Sequence, residues 1–354
     1  MLRIWMFLFL TQCIGGCLPP RRATPGVAKR HLRAGTQLLA AGDLDRAEAH
    51  FAVAREYAPG SAAAANGLGR VALARGERTR AARLFRRAVE LDDDLAEAHN
   101  NLGVLLLRQG RCRAAIPHLR AALDVDPGYV QARLNLARAL HRAGDLAAAR
   151  RLLLQVTAVR PHLATAWAAL ALVSVDRGHL AAAGRALRRA RALRPDALAV
   201  LVAEGALRRR GGDLAGALRL HRRALQRHPG DLAARTQLAL TLIRAGHRAA
   251  AERHLRRVLA ARPFAPRIHF ALGVLAAARG DLGHAAKAFH RTVELAPGFL
   301  PAYLQLAAAQ VGAGRRAAAS RTCQRLRQHA RNGPKTWASR CRALLVRRAL
   351  HSAR

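Results

Sequence analysis

The sequence predicts an all-α fold, an array of stacked helix–turn–helix repeats, and three observations predict it. The first is composition. The chain has 354 residues, 51% hydrophobic but only 4% aromatic. Its apolar half is mostly Ala and Leu, which favour helix, with few of the β-branched and aromatic residues that favour sheet. That apolar content excludes wholesale disorder, and 5 Cys are too few for a disulfide scaffold. The second is a period of 34 residues. It carries an unbroken ladder of glycines from Gly42 to Gly314, an unbroken ladder of alanines from Ala47 to Ala319, and a third ladder of Gly or Ala only, from Gly35 to Ala307. The third is punctuation at the same step. Pro59, Pro127, Pro161, Pro195, Pro229, Pro263 and Pro297 fall on one ladder, with Asp93 filling its gap.

At the amino terminus, Arg3 precedes the apolar run Ile4–Leu10, which is too short to span a bilayer as a helix and of the length of a signal-peptide core. Ile14–Gly15–Gly16–Cys17 follows. It resembles the lipobox of bacterial lipoproteins, in which the Cys thiol takes the lipid and small residues admit the peptidase. An ordinary cleaved signal would share the first part of this pattern. The expectation is a signal peptide at 1–16, lipid attachment at Cys17, and a Pro- and Arg-containing tether at 17–27. Leu18, in place of Asp, points by analogy to the outer membrane facing the periplasm.

Residues 28–333 carry nine repeats. Within each, the ladder Gly ends the first helix, because Gly reaches the left-handed conformation at low cost. Pro ends the second helix, since it lacks an N–H and disfavours helix before it. The small residues mark close helix–helix approach. Phe51, Phe85, Leu119, Leu153, Leu187, Leu255 and Phe289 fill one apolar slot, and His221 takes it in the sixth repeat, where Glu204 and Arg208 can pair. This 34-residue punctuation resembles the tetratricopeptide repeat. The resemblance implies a right-handed superhelical solenoid whose first helices line a concave groove for a protein or peptide.

The last segment, 334–354, is expected to form a capping helix. Cys341 on it and Cys323 on the second helix of repeat nine occupy facing packing slots. They form either a disulfide or two buried thiols. Cys112 has no evident partner.

No catalytic motif is present, so the chain reads as non-enzymatic and without a cofactor or metal. His31, His99 and His269 share the slot of Trp167 and read as packing residues. The Asp92–Asp94 run reads as a helix-capping turn. On the groove, the resemblance places Asn66, Asn100, Asn101 and Asn135, whose amides could hold a peptide backbone. It also places Val104, Leu107, Leu172, Val175, Leu240 and Ile243 as apolar patches interrupted by Arg70 and Arg138.

The net charge is +40. Only Lys29, Lys287 and Lys335 are lysine, so arginine supplies nearly all 61 basic residues. Such a surface attracts phosphate in a salt-dependent way. Stacking aromatics for nucleic acid are missing, and the export signal argues against that partner. Two functions follow. One is a membrane-anchored scaffold for protein–protein interaction in the bacterial envelope, similar to tetratricopeptide lipoproteins that assemble pili or secretion complexes. The other is a basic adaptor for a polyanion such as anionic lipid, lipopolysaccharide or nucleic acid. Oligomeric state is not legible.

Overall fold

The computed structural model describes residues 25–329, 339–341 and 343–344. The expected signal peptide, Cys17 and most of the tether and cap lie outside them. All regular structure in the described residues is helical, and it divides into two compact units, 1–102 and 103–354.

The first unit holds α1 (Pro25–Ala41), α2 (Leu44–Tyr57), α3 (Ala62–Ala74), α4 (Arg78–Leu91) and the start of α5 (Ala96–Arg108). The second holds the end of α5 and α6 (Cys112–Val125), α7 (Val130–Ala143), α8 (Leu146–Val159), α9 (Ala164–Asp176), α10 (Leu180–Leu193) and α11 (Leu198–Arg210). It continues with α12 (Leu214–Arg227), α13 (Leu232–Arg244), α14 (Arg248–Ala261), α15 (Pro266–Ala277), α16 (Leu282–Leu295), α17 (Leu300–Gly312) and α18 (Arg316–His329). Odd-numbered helices are the first helices of the repeats and even-numbered ones the second.

The ladder glycines do what the sequence predicts. From Gly42 to Gly314, each has φ between 77° and 100°. The residue after them starts the second helix: Asp43, Asp145, Asp213 and Asp281 each accept a hydrogen bond from the N–H three residues on. The reason is that these first-turn N–H groups have no partner inside the helix. Asp92 behaves differently from the expected cap. Its carboxylate accepts from the N–H of Asp94, 3.0 Å away, and closes the turn instead.

The slot shared by the histidines and Trp167 has a role beyond packing. His99 Nε2, Trp167 Nε1 and His269 Nε2 donate to the carbonyls of Asp93, Pro161 and Pro263 at 3.0, 2.7 and 2.9 Å. Arg133 and Arg235 donate likewise to Pro127 and Pro229. Each donor reaches a carbonyl six residues back and holds the inter-repeat turn against the next first helix.

The apolar slot packs on the small-residue ladder of its own repeat. A Cβ at Gly69 would come within 2.6 Å of the Phe85 ring, and one at Gly273 within 2.7 Å of the Phe289 ring. Phe51 also reaches the following repeat at Gly67. Phe51, Phe85, Leu119, Leu153, Leu255 and Phe289 are all at most 1% exposed. In the sixth repeat His221 fills this slot against Gly205, fully buried, and Glu204 pairs with Arg208 at 3.0 Å.

At the end of the second unit, Cys323 and Cys341 are joined in a disulfide with Cα atoms 5.7 Å apart. Both are buried, in one core cluster with Phe289, Tyr303 and Leu326.

Candidate functional site

In the first unit, the groove amides hold one another. Asn101 Nδ2 donates to Asn66 Oδ1 at 2.9 Å, tying α5 to α3. Asn66 and Asn100 are buried, 3% and 5% exposed, so they are not the open row that the sequence suggested. Asn101 and Arg70 remain half-buried.

In the second unit, the expected residues separate into two sets. Val175 is fully buried with Ala183 and Ala206, a core residue rather than a groove residue. Leu107 and Asn135 are also buried. Asn135 Oδ1 accepts from Gln131 Nε2 and from Arg138, each at 3.4 Å. Val104, Leu240 and Ile243 are half-buried, and Ile243 packs on the Leu238–Leu255 cluster. Arg138 and Leu172 line a cavity of about 410 Å³.

That cavity lies along the first helices of the second unit. The first helices α7, α9, α11 and α13 form one wall, and their short side chains, Ala168, Ala169, Ala199 and Ala233, leave the space open. The other side is closed by Val258 and Arg262 of the α14 end, by Ala265–Ile268, and by Gly110 and Cys112. The closure depends on a tight approach. A Cβ at Gly110 (φ +83°) would stand 3.1 Å from the backbone N of Ala265. Beside it, the Arg111 guanidinium lies over the Phe264 ring at 5.7 Å. Repeat three thus meets the start of repeat eight, a contact between residues 155 positions apart in sequence.

Charge in and beside the cavity is organised. His141 Nε2 donates to Asp176 at 2.7 Å, and Arg267 pairs with the same oxygen at 3.3 Å. Burial alone would raise the Asp176 pKa, but the His141 hydrogen bond and the nearby Arg267 bring it down to about 2. Burial pushes the His141 pKa down against the pull of Asp176. Arg209, 6% exposed, donates to Gln237 Oε1 at 2.8 Å, and its burial brings it to about 10. Arg142 donates to the Leu107 carbonyl at 3.2 Å. Burial raises the Cys112 thiol pKa. Among the described residues, no group of three or more His, Cys, Asp or Glu could hold a metal ion, and no helix is long and apolar enough to cross a membrane.

Arg138 and Leu172, expected on the groove, line this cavity together with His141, Arg262 and Arg267, which the residue pattern did not mark. Arg262 and Arg267 flank a repeat turn and read locally as surface residues. Only the return of the α14–α15 turn onto Gly110 brings them to the cavity.

Tetratricopeptide repeat family models match residues 61–128, 106–173, 209–274 and 276–340, more than half of the chain. No curated protein matches the sequence. Among solved structures, the APC/C hetero-tetramer Cut9–Hcn1 is similar at 12% identity and a TM-score of 0.55, over 93% of this chain and 84% of that one. PilW, a type IV pilus biogenesis factor, is similar at 20% identity and 0.51, over 62% and 100%. Pseudomonas aeruginosa PilF is similar at 19% identity and 0.50, over 59% and 95%. At these identities the likeness is one of fold.

Proposed function

Because the chain belongs to the tetratricopeptide repeat family, we propose that it is a non-enzymatic scaffold, anchored to the bacterial envelope through Cys17, that binds a protein partner in the concave surface of its first helices. Repeats of this kind expose side chains from successive helices on one face, which suits extended contact with a peptide or helix. The observation that carries the envelope placement is the Cys323–Cys341 disulfide. Disulfides persist in oxidising compartments, and the bridge agrees with the export pattern at the other end of the sequence. PilF and PilW share the fold, and PilW is a pilus biogenesis factor. Assembly of a pilus or secretion complex is the corresponding envelope task.

The polyanion reading keeps one supporting feature. Arg150, Arg185, Arg188 and Arg189 line a surface depression with Trp167 and the exposed Leu154. This combination suits an anionic headgroup beside an acyl chain.

The test is intact mass of the protein recovered from native membranes, wild type against Cys17→Ser. Loss of residues 1–16 together with added acyl mass, abolished in the variant, is the expected result. An unmodified full-length mass in the soluble fraction would overturn the anchor and favour a polyanion partner.

A further inference from the structure

Four guanidinium groups line the 410 Å³ cavity, those of Arg138, Arg142, Arg262 and Arg267, against the single carboxylate of Asp231. Arg267 is already paired, with Asp176, and Asp231 caps α13 by accepting from the N–H of Ala234 at 2.6 Å while its charge acts on Arg262 from a distance, without an ion pair. Arg138, Arg142 and Arg262 remain. None of them pairs with a carboxylate among the described residues. Among the described residues, Arg138 and Arg142 donate to neutral oxygens, and the buried Nε of Arg262 has no hydrogen-bond partner.

This arrangement costs the protein. Burial, and then the charge of Arg142, lower the pKa of Arg138, and the same two causes bring Arg262 to about 10 against the opposing pull of Asp231. Like charges drawn together and partly desolvated are unfavourable unless a counter-charge joins them. Arginine forks match the geometry of an oxyanion. Beside Arg138 and Arg142 on the wall of first helices, Leu172, Leu198 and Val202 supply an apolar stretch. The volume lies in the range of small-ligand pockets, about 300–1,000 Å³. It therefore takes an acidic residue and its neighbour rather than a folded surface.

We infer that this cavity is the anionic subsite of the concave surface: Arg138, Arg142 and Arg262 receive a carboxylate of the bound segment, and an adjacent aliphatic side chain lies on Leu172, Leu198 and Val202. The inference rests on the peptide-binding reading above and names the chemistry of its partner. Arg262, from a second helix, and the closure at Gly110 make this a site of the curled array rather than of any one repeat.

The test is to pan the chain against phage-displayed random heptapeptides and to measure binding of a selected peptide as a synthetic probe. The expected peptides carry Asp or Glu beside an aliphatic residue. Changing that acid to its amide in the peptide, or Arg138→Gln with Arg262→Gln in the protein, weakens binding at least tenfold. Combining the two changes adds little more. Arg83→Gln with Arg87→Gln, which removes equal charge from exposed positions of α4, leaves binding within twofold. The acid-to-amide change in the peptide reads the site even if the double variant folds poorly. Selected peptides without an acid preference, or equal loss from the α4 pair, would overturn the subsite and leave the groove reading standing. Failure to select any peptide would overturn both.

Discussion

His221 is the residue at which the repeat departs most from its own rule. It stands in a slot filled in most repeats by Phe or Leu, fully buried, and neither ring nitrogen has a hydrogen-bond partner among the described residues. Burial, assisted by Arg209, lowers its pKa to about 3. The folded protein therefore keeps the ring neutral while the unfolded chain takes up a proton below about pH 6.5. The unfolded state binds more protons in that window, so stability is lost as pH falls from 6.5 toward 3, by about 2 kcal/mol at pH 5 from this residue. His221→Leu removes the titration and the unsatisfied nitrogens. It is expected to be more stable at neutral pH by about 1–3 kcal/mol and to lose less on acidification, as read by urea melts at pH 7 and pH 5. Equal pH dependence in the two proteins would contradict this assignment. The sequence exposed the anomaly at position 221, but the neighbours that set its pKa came from packing.

Between elements, the same slot shows volume compensation within a repeat. Sixteen residues separate the ladder's small residue from the slot. Gly stands opposite Phe51, Phe85, His221 and Phe289, and in one repeat opposite Leu119, while Ala stands opposite Leu153, Leu187, Leu255 and Cys323 and never opposite a ring. The contacts explain this: a methyl group at Gly273 would strike the Phe289 ring. Gly273→Ala is expected to destabilise by about 1–3 kcal/mol through overpacking, in spite of the better helix propensity of Ala. Gly273→Ala with Phe289→Leu should recover most of that loss, since it recreates the pair used in other repeats. Denaturant melts of the four proteins in the cycle measure the coupling; additive effects would count against the close approach. The helices, their turns and this small-residue ladder were legible because they obey a local period. The donors at His99, Trp167 and His269 were visible only as a shared slot. Their carbonyl partners depend on turn geometry that a residue pattern does not carry. The disulfide between Cys323 and Cys341 was one of two open readings, and it closes a loop of 18 residues, worth about 3 kcal/mol in a chain-entropy treatment.

At the level of the molecule, the candidate site was only half legible. Arg138 and Leu172, expected on the groove from their position on the first helices, both line the cavity, because the repeat fixes which face they share. It placed Val175 and Asn66 on the same surface, yet tight helix approach buries them. Arg262 and Arg267 join the site through curvature accumulated over five repeats, which no 34-residue window contains. The central claim is that the concave surface, and not the outer arginine-rich face, meets the partner. The direct measurement is photo-crosslinking in cells, with p-benzoylphenylalanine at Leu172 compared with the same group at the exposed Arg151 on α8. The account predicts one discrete crosslinked protein from position 172, lost with Arg138→Gln and Arg262→Gln, and none of that mass from position 151. The same product from position 151, or crosslinks from that position alone, would contradict it.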